Sequence, residues 1–202
     1  VNIQPVPIAR DLGTILDCHL KLNAHVNNIC KTAHYAIRNI SRIQKYLSQD
    51  DCEKLIHAFV TSRLDSCNSI LYGLHEYSLF KLQRIQNTAA RLVSKTKKYD
   101  HIIPVLIALH WLPIKYRIAF KILLKTFKAL NGLAPYYICE LLHQYQQTKT
   151  LRSSPRNLLS VPRMHTTTYC DRAFSVSAPK LWNSLPIEIR LSASLNSFKT
   201  SL

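Results

Sequence analysis

Residues 77–98 run Tyr77-Ser-Leu-Phe-Lys-Leu-Gln-Arg-Ile-Gln-Asn-Thr-Ala-Ala-Arg-Leu-Val-Ser-Lys-Thr-Lys-Lys98. Leu79, Leu82, Ile85, Ala89, Leu92 and Val93 recur at steps of three and four, so they share one side of a helix. Lys81, Arg84, Arg91, Lys95 and Lys98 fall on another side, roughly 120° away by helical geometry. No carboxylate lies between Glu76 and Asp100. A surface helix without a special partner mixes both signs of charge. A helix of one sign points to a polyanion, or to a basic face that is only solvated.

The charge asymmetry extends beyond this helix. Across its 202 residues the chain carries a formal net charge of +16. Between Tyr77 and Asn131 the cations Lys81, Arg84, Arg91, Lys95, Lys97, Lys98, Lys115, Arg117, Lys121, Lys125 and Lys128 face Asp100 alone. Such a field attracts nucleic acid or an anionic surface. Apolar residues make up 47% and charged residues 19%, which suits a globular chain with a core and excludes wholesale disorder.

Working outward toward the N-terminus, Leu12-Gly-Thr-Ile-Leu16 reads as a strand entering a hairpin, with Leu20 and Leu22 on the return. Asn23 then N-caps a helix whose apolar positions Val26, Ile29, Ala33, Ile37, Ile40 and Ile43 keep helical spacing through Tyr46. Ser48 with Asp51, or Asp50 with Glu53, forms a capping box for a further helix through about Leu64. Toward the C-terminus, Pro113 opens a helix over Ile114–Leu130, with Ile118, Ile122, Leu123, Phe127 and Leu130 inward. Asn131-Gly132 closes it, and Pro135–Tyr145 makes another. Thr148–Thr168 reads as an irregular arm with a short strand at Leu158–Val161. A proline-bracketed turn, Pro179–Pro186, and a last helix, Leu195–Leu202, follow, with Trp182 as a packing anchor. The fold class is therefore mainly α: a helical bundle preceded by a short β-hairpin and followed by an irregular arm with short helices or strands.

Candidate catalytic chemistry is sparse. Asp50-Asp51 resembles the adjacent aspartates that hold Mg²⁺ at a polymerase strand turn, but an apolar helical pattern follows and no aromatic strand precedes, which favours helix capping. The six cysteines include no C-x-x-C pair. Cys139-x3-His143 and His165-x4-Cys170 are the nearest approach to metal spacing, and reduced thiols in an intracellular protein, in the nucleus or cytoplasm, explain the set better. His57, His75 and His110 sit in no recognisable hydrolase motif; His110 reads as a half-buried, hydrogen-bonded neighbour of Trp111. The apolar segment Ile102–Leu112 is far shorter than the ~20 residues a membrane span needs, so no membrane partner is expected.

Four segments carry a resemblance in one order: Ser62-Arg-Leu-Asp-Ser-Cys-Asn-Ser69, Leu82-Gln-Arg-Ile-Gln-Asn-Thr-Ala-Ala-Arg-Leu92, Leu109-His-Trp-Leu-Pro113 and Arg172-Ala-Phe-Ser-Val-Ser-Ala-Pro-Lys-Leu-Trp-Asn-Ser-Leu-Pro186. Together they closely resemble the C-terminal part of reverse transcriptases of non-LTR (LINE-type, jockey-like) retrotransposons, over about Leu12–Leu202. The resemblance implies a fragment of an RNA-directed DNA polymerase. Residues 1–22 would be the hairpin ending a missing palm, 23–145 a basic thumb-like helical domain, and 146–202 a short-helix region. It implies no catalysis by this chain alone, because the palm aspartates and the Mg they hold lie upstream. It implies a non-catalytic role in holding RNA, DNA or an RNA–DNA hybrid against the missing palm. Cys170 stands where relatives resemble one another in carrying Gly, which implies a strained backbone if φ is positive there. The candidate nucleic-acid contacts, chosen on charge pattern, are Lys81, Arg84, Arg91, Lys95, Lys98, Lys115, Lys121 and Lys125. The competing expectation is a helical protein-interaction or structural module, marked by an exposed apolar groove rather than a basic strip.

Overall fold

The computed structural model describes residues 6–145, 157–164, 166 and 169–202. Its architecture is mainly α with one two-stranded antiparallel hairpin near the N-terminus. The chain gathers into two compact units, Val1–Arg117 and Ile118–Leu202.

The first unit opens with β1 (Ile8–Asp11) paired to β2 (Thr14–Asp17), in the register Ile8↔Asp17 and Asp11↔Thr14. The hairpin therefore lies earlier than the sequence suggests: Thr14–Asp17 is its return strand, and Leu20 and Leu22 lie beyond it. Leu12 (φ 44°) and Gly13 (φ 85°) form the loop, and two successive positive φ values match the twist of a two-residue hairpin turn. The Asp17 carboxylate then accepts from the backbone N–H groups of His19 (3.2 Å), Lys21 (3.0 Å) and Leu22 (2.6 Å) and folds the link into α1.

Helix α1 (Asn23–Ile43) buries His25, Val26, Ile29, Ala33, Ile37 and Ile40; Ile43, expected inward, is exposed. A 3₁₀ turn, Gln44–Tyr46, finishes the segment. Helix α2 (Gln49–Ile56) begins at the expected cap, where the Ser48 hydroxyl accepts from Asp51 N–H at 3.1 Å. It runs through a π-helical stretch, His57–Thr61, into α3 (Ser62–Asp65). Helix α4 (Glu76–Ser94) buries Leu82, Ile85, Ala89 and Val93, with its longest seam against α1. Each such aliphatic side chain removed from water contributes about 1.5–3 kcal/mol against the entropy of ordering the chain.

The helix expected to reach Lys98 stops at Ser94, because Lys95 turns left-handed at φ 56° and its N–H donates to the Arg91 carbonyl. Helix α5 (Ile102–Ala108) follows and ends in a left-handed His110 (φ 53°). That geometry leaves His110 exposed and sends Trp111 inward at 5% exposure, reversing the expectation for His110. Helix α6 (Ile114–Leu130) starts beside Pro113, whose carbonyl accepts from Arg117 N–H at 3.0 Å.

In the second unit the later part of α6 buries Ile118, Ile122, Leu123 and Phe127, while Leu130 is only half-buried. The long helix expected over Pro135–Tyr145 is the single turn α7 (Tyr136–Cys139). Helix α8 (Phe174–Asn183) is longer than the proline-bracketed turn expected, and it contains Pro179. Short helices α9 (Ile187–Arg190) and α10 (Leu195–Ser201) complete the unit. Trp182, at 1% exposure, is the anchor expected of it; Phe198 packs against it with ring centroids 5.7 Å apart and stacks on Phe127 at 4.5 Å. Cys170 lies in a 3₁₀ turn, Cys170–Arg172, and is not among the positive-φ residues, so the strain expected there does not arise. The expected strand over Leu158–Val161 reduces to one antiparallel bridge, Gln144↔Leu159. Most of the irregular arm, and His165, lie outside the described residues. No helix among the described residues is long and apolar enough to cross a membrane.

Candidate nucleic-acid interface

Helix α4 carries Lys81, Arg84 and Arg91. Arg84 and Arg91 are seven residues apart and so share one face, about 10.5 Å apart along the axis at 1.5 Å per residue, with Arg84 exposed and Arg91 half-buried. Arg84 is exposed, and no ion pair engages it among the described residues. Lys81 is half-buried; its ammonium reaches Asn27 Oδ1 at 3.2 Å and lies 4.7 Å from the Tyr77 ring centroid. Arg91 organises backbone. Its Nη2 donates to the Asp100 carbonyl at 2.8 Å and its Nε to the Lys97 carbonyl at 3.3 Å. With Asp100 Oδ2 accepting from Lys97 N–H at 3.0 Å, this closes the loop after α4.

That loop displays Lys95, Lys97 and Lys98, all exposed. Four carbonyls are left over at the C-terminus of a helix, so cations gather there favourably without any ligand. The expected single stripe of five cations is therefore two groups: Lys81, Arg84 and Arg91 on the helix, and Lys95 and Lys98 fanning from its end. Lys115, exposed at the start of α6, joins Tyr77 and Phe80 of α4 around a shallow slot. In the second unit Lys121 and Lys125 are exposed, four apart on α6, and so share a face.

Six further acidic residues are engaged away from these cations. Asp17 caps a turn. Asp51 belongs to the α2 cap, and Lys54 pairs with Asp50 at 2.5 Å. Glu53 accepts from Trp111 Nε1 at 3.2 Å and stands 3.4 Å from His57 Nε2. Asp65 pairs with Arg117 at 2.7 Å, and Asp171 with Lys180 at 2.8 Å. The Ser48 hydroxyl, assisted by Lys54, holds the Asp51 carboxyl below its ordinary range, as a capping acid should be. Asp50-Asp51 is thus a helix start, and no group of three or more metal-ligating side chains occurs among the described residues.

Two polar residues of α4 escaped the sequence reading, Gln86 buried and Gln83 half-buried. Gln86, 2% exposed, donates to the Leu112 carbonyl at 2.8 Å. Gln83 donates to Gln86 Oε1 (3.0 Å) and Asn87 Oδ1 (2.8 Å), and accepts from Ile114 N–H at 2.9 Å. These amides pin the Trp111–Ile114 turn to α4. The linked motifs Leu82–Leu92 and Leu109–Pro113 are therefore two halves of one joint. The signal for it was available: two glutamines three apart on a face otherwise apolar.

The C-terminal motif is likewise structural. The Asn183 carboxamide accepts from Leu159 N–H at 2.9 Å and donates to the Leu159 carbonyl at 2.8 Å, while Trp182 Nε1 donates to the Asn157 carbonyl at 2.8 Å. Two of the thiols, Cys30 and Cys52, are pushed away from the reactive thiolate form. Burial pushes the Cys30 thiol up, against a smaller opposing pull from Lys81, and burial raises Cys52 as well. Compared with known proteins, the chain matches no family model, no curated protein and no solved structure.

Proposed function

We propose that the chain is the non-catalytic thumb and post-thumb part of a non-LTR, jockey-like retrotransposon reverse transcriptase, whose job is to hold the sugar-phosphate backbone of template and primer. The observation that carries this is the exposure of Arg84, Lys95, Lys98 and Lys115, none of which is in an ion pair among the described residues, while Asp100 is taken up by the loop after α4. Such cations contact phosphates without reading sequence. The chemistry of the family belongs to a palm that would pack against this chain. Asp50 and Asp51 do not fit the Mg that palm would use, because Asp50 is paired with Lys54 and the Asp51 carboxylate accepts from the Ser48 hydroxyl that caps α2. On this reading the parent protein works in the nucleus or the cytoplasm.

The test is binding to a short RNA–DNA hybrid as a function of salt. Log affinity is expected to fall linearly with log salt, and replacing Arg84, Lys95, Lys98 and Lys115 by Gln is expected to flatten that slope. No binding at low salt, or an unchanged slope, overturns the reading. The rival reading, a protein-interaction module, is favoured by Ile103 and Ile107 of α5, which are 67% and 68% exposed. It predicts that Ile103→Ser with Ile107→Ser abolishes capture of a protein partner and leaves the salt slope unchanged.

A further inference from the structure

Between the first turns of α4 and the start of α6 lies an open slot of about 400 Å³, lined by Glu76, Tyr77, Leu79, Phe80, Gln83, Ile114 and Lys115. Its two aromatic walls are open to solvent: Tyr77 is 63% exposed and Phe80 is 60% exposed. The joint described above fixes its width, because Gln83 holds the backbone of Ile114. Cations flank it, with Lys115 in the lining, Lys81 against Tyr77 and Arg84 one turn beyond Phe80.

We infer that this slot takes an unpaired nucleobase of a single-stranded RNA or DNA, stacked on Phe80 and Tyr77, while Lys81, Arg84 and Lys115 hold the adjoining phosphates. This inference rests on the nucleic-acid reading and sharpens it from duplex backbone to single strand. Three features select this occupant. An apolar aromatic slot offers a π face, which any base can use. Surrounding cations match a polyanion and not an apolar peptide. Glu76, the anion in the lining, repels a phosphate but accepts from an exocyclic amine, so the base goes in and the backbone stays at the rim. A duplex keeps its bases stacked and cannot fill the slot without flipping one out.

The experiment is fluorescence anisotropy on the full 202-residue chain with three labelled probes: a 12-nucleotide single strand, the same strand with abasic central positions, and a 12-base-pair RNA–DNA hybrid. Stacking strength per base predicts that Tyr77→Ala with Phe80→Ala weakens the single strand roughly tenfold. The abasic strand is expected to bind wild-type protein more weakly by a similar factor and to be indifferent to the aromatic variants. Hybrid affinity is expected to be unchanged. Phe80→Trp keeps a stacking face and is expected to retain single-strand affinity, which guards against misfolding as the cause. If the hybrid binds and the aromatic variants match wild type on the single strand, the slot assignment is wrong and the backbone reading stands. If no probe binds at low salt, both fall. If Phe80→Ala instead converts a sedimenting dimer to monomer, the slot belongs to a second copy of the chain and the inference is overturned.

Discussion

Gln86 is the residue on which the first unit's geometry turns most sharply. It is buried, and its amide satisfies a carbonyl 26 positions away in sequence, that of Leu112. Gln86→Leu removes that buried donor and leaves the Leu112 carbonyl only its bond from Arg117 Nε at 3.0 Å, so it is expected to lose about 1 kcal/mol in chemical denaturation despite its greater apolarity. His25 offers a second residue-scale test. It is 5% exposed, its Nδ1 accepts from Ile15 N–H at 3.4 Å, and burial lowers its pKa. The unfolded chain therefore takes up a proton that the folded chain resists. Stability should be flat above the ordinary histidine value near 6.5 and fall as pH drops below it, until the folded state is protonated too. The melting temperature of wild type should drop between pH 7 and pH 5, and that of His25→Gln should drop less. The apolar core at Val26, Ile29, Leu82, Ile85 and Phe127 was legible in the sequence because helical period alone sorts such residues. Gln86 and His25 were not, because a buried polar side chain is defined by partners from distant segments, which periodicity does not encode.

At the scale of elements, some starts were legible and others were not: Asn23, read as a cap, is the first residue of α1, and the cap is left-handed Leu22 with no side-chain bond. The Ser48 cap and the Pro113 entry are local chemistry and appear as written. The end of α4 does not, since Lys95-Thr-Lys-Lys98 is compatible with helix and contains no Gly to announce a left-handed residue. Lys95→Gly at that position relieves the positive-φ cost and removes one cation. It is expected to raise stability by about 0.5–1 kcal/mol while weakening binding to the hybrid, so stability and affinity move in opposite directions. A purely structural Lys95 would change stability alone. The hairpin offset has a similar origin. Leu12, 91% exposed at φ 44°, occupies a turn position that favours Asn, and an exposed leucine there reads as the start of a strand. Pro179 hid the true length of α8 in the same way, because a proline inside a helix interior is normally disfavoured.

At the scale of the whole molecule, charge sets behaviour. A net +16 on 202 residues repels itself when compact. The melting temperature is therefore expected to rise between about 10 mM and 150 mM salt as the Debye length shortens. A short polyanion added at low salt should produce a larger rise by binding the folded state. The candidate cations were legible as a charge pattern; their separation into a helix face, a loop and the mouth of a slot was not, because it depends on where α4 ends and on what Gln83 and Gln86 hold. Those two glutamines have a further consequence. Carboxamides do not ionise, and neither acidity nor dissolved electrolyte changes what they grip. The conditions that strip a bound strand from the lysines and arginines leave these amide bonds between α4 and the start of α6 in place. Release should therefore be clean: the ligand departs, the scaffold keeps its shape, and the same surface is ready to be loaded again.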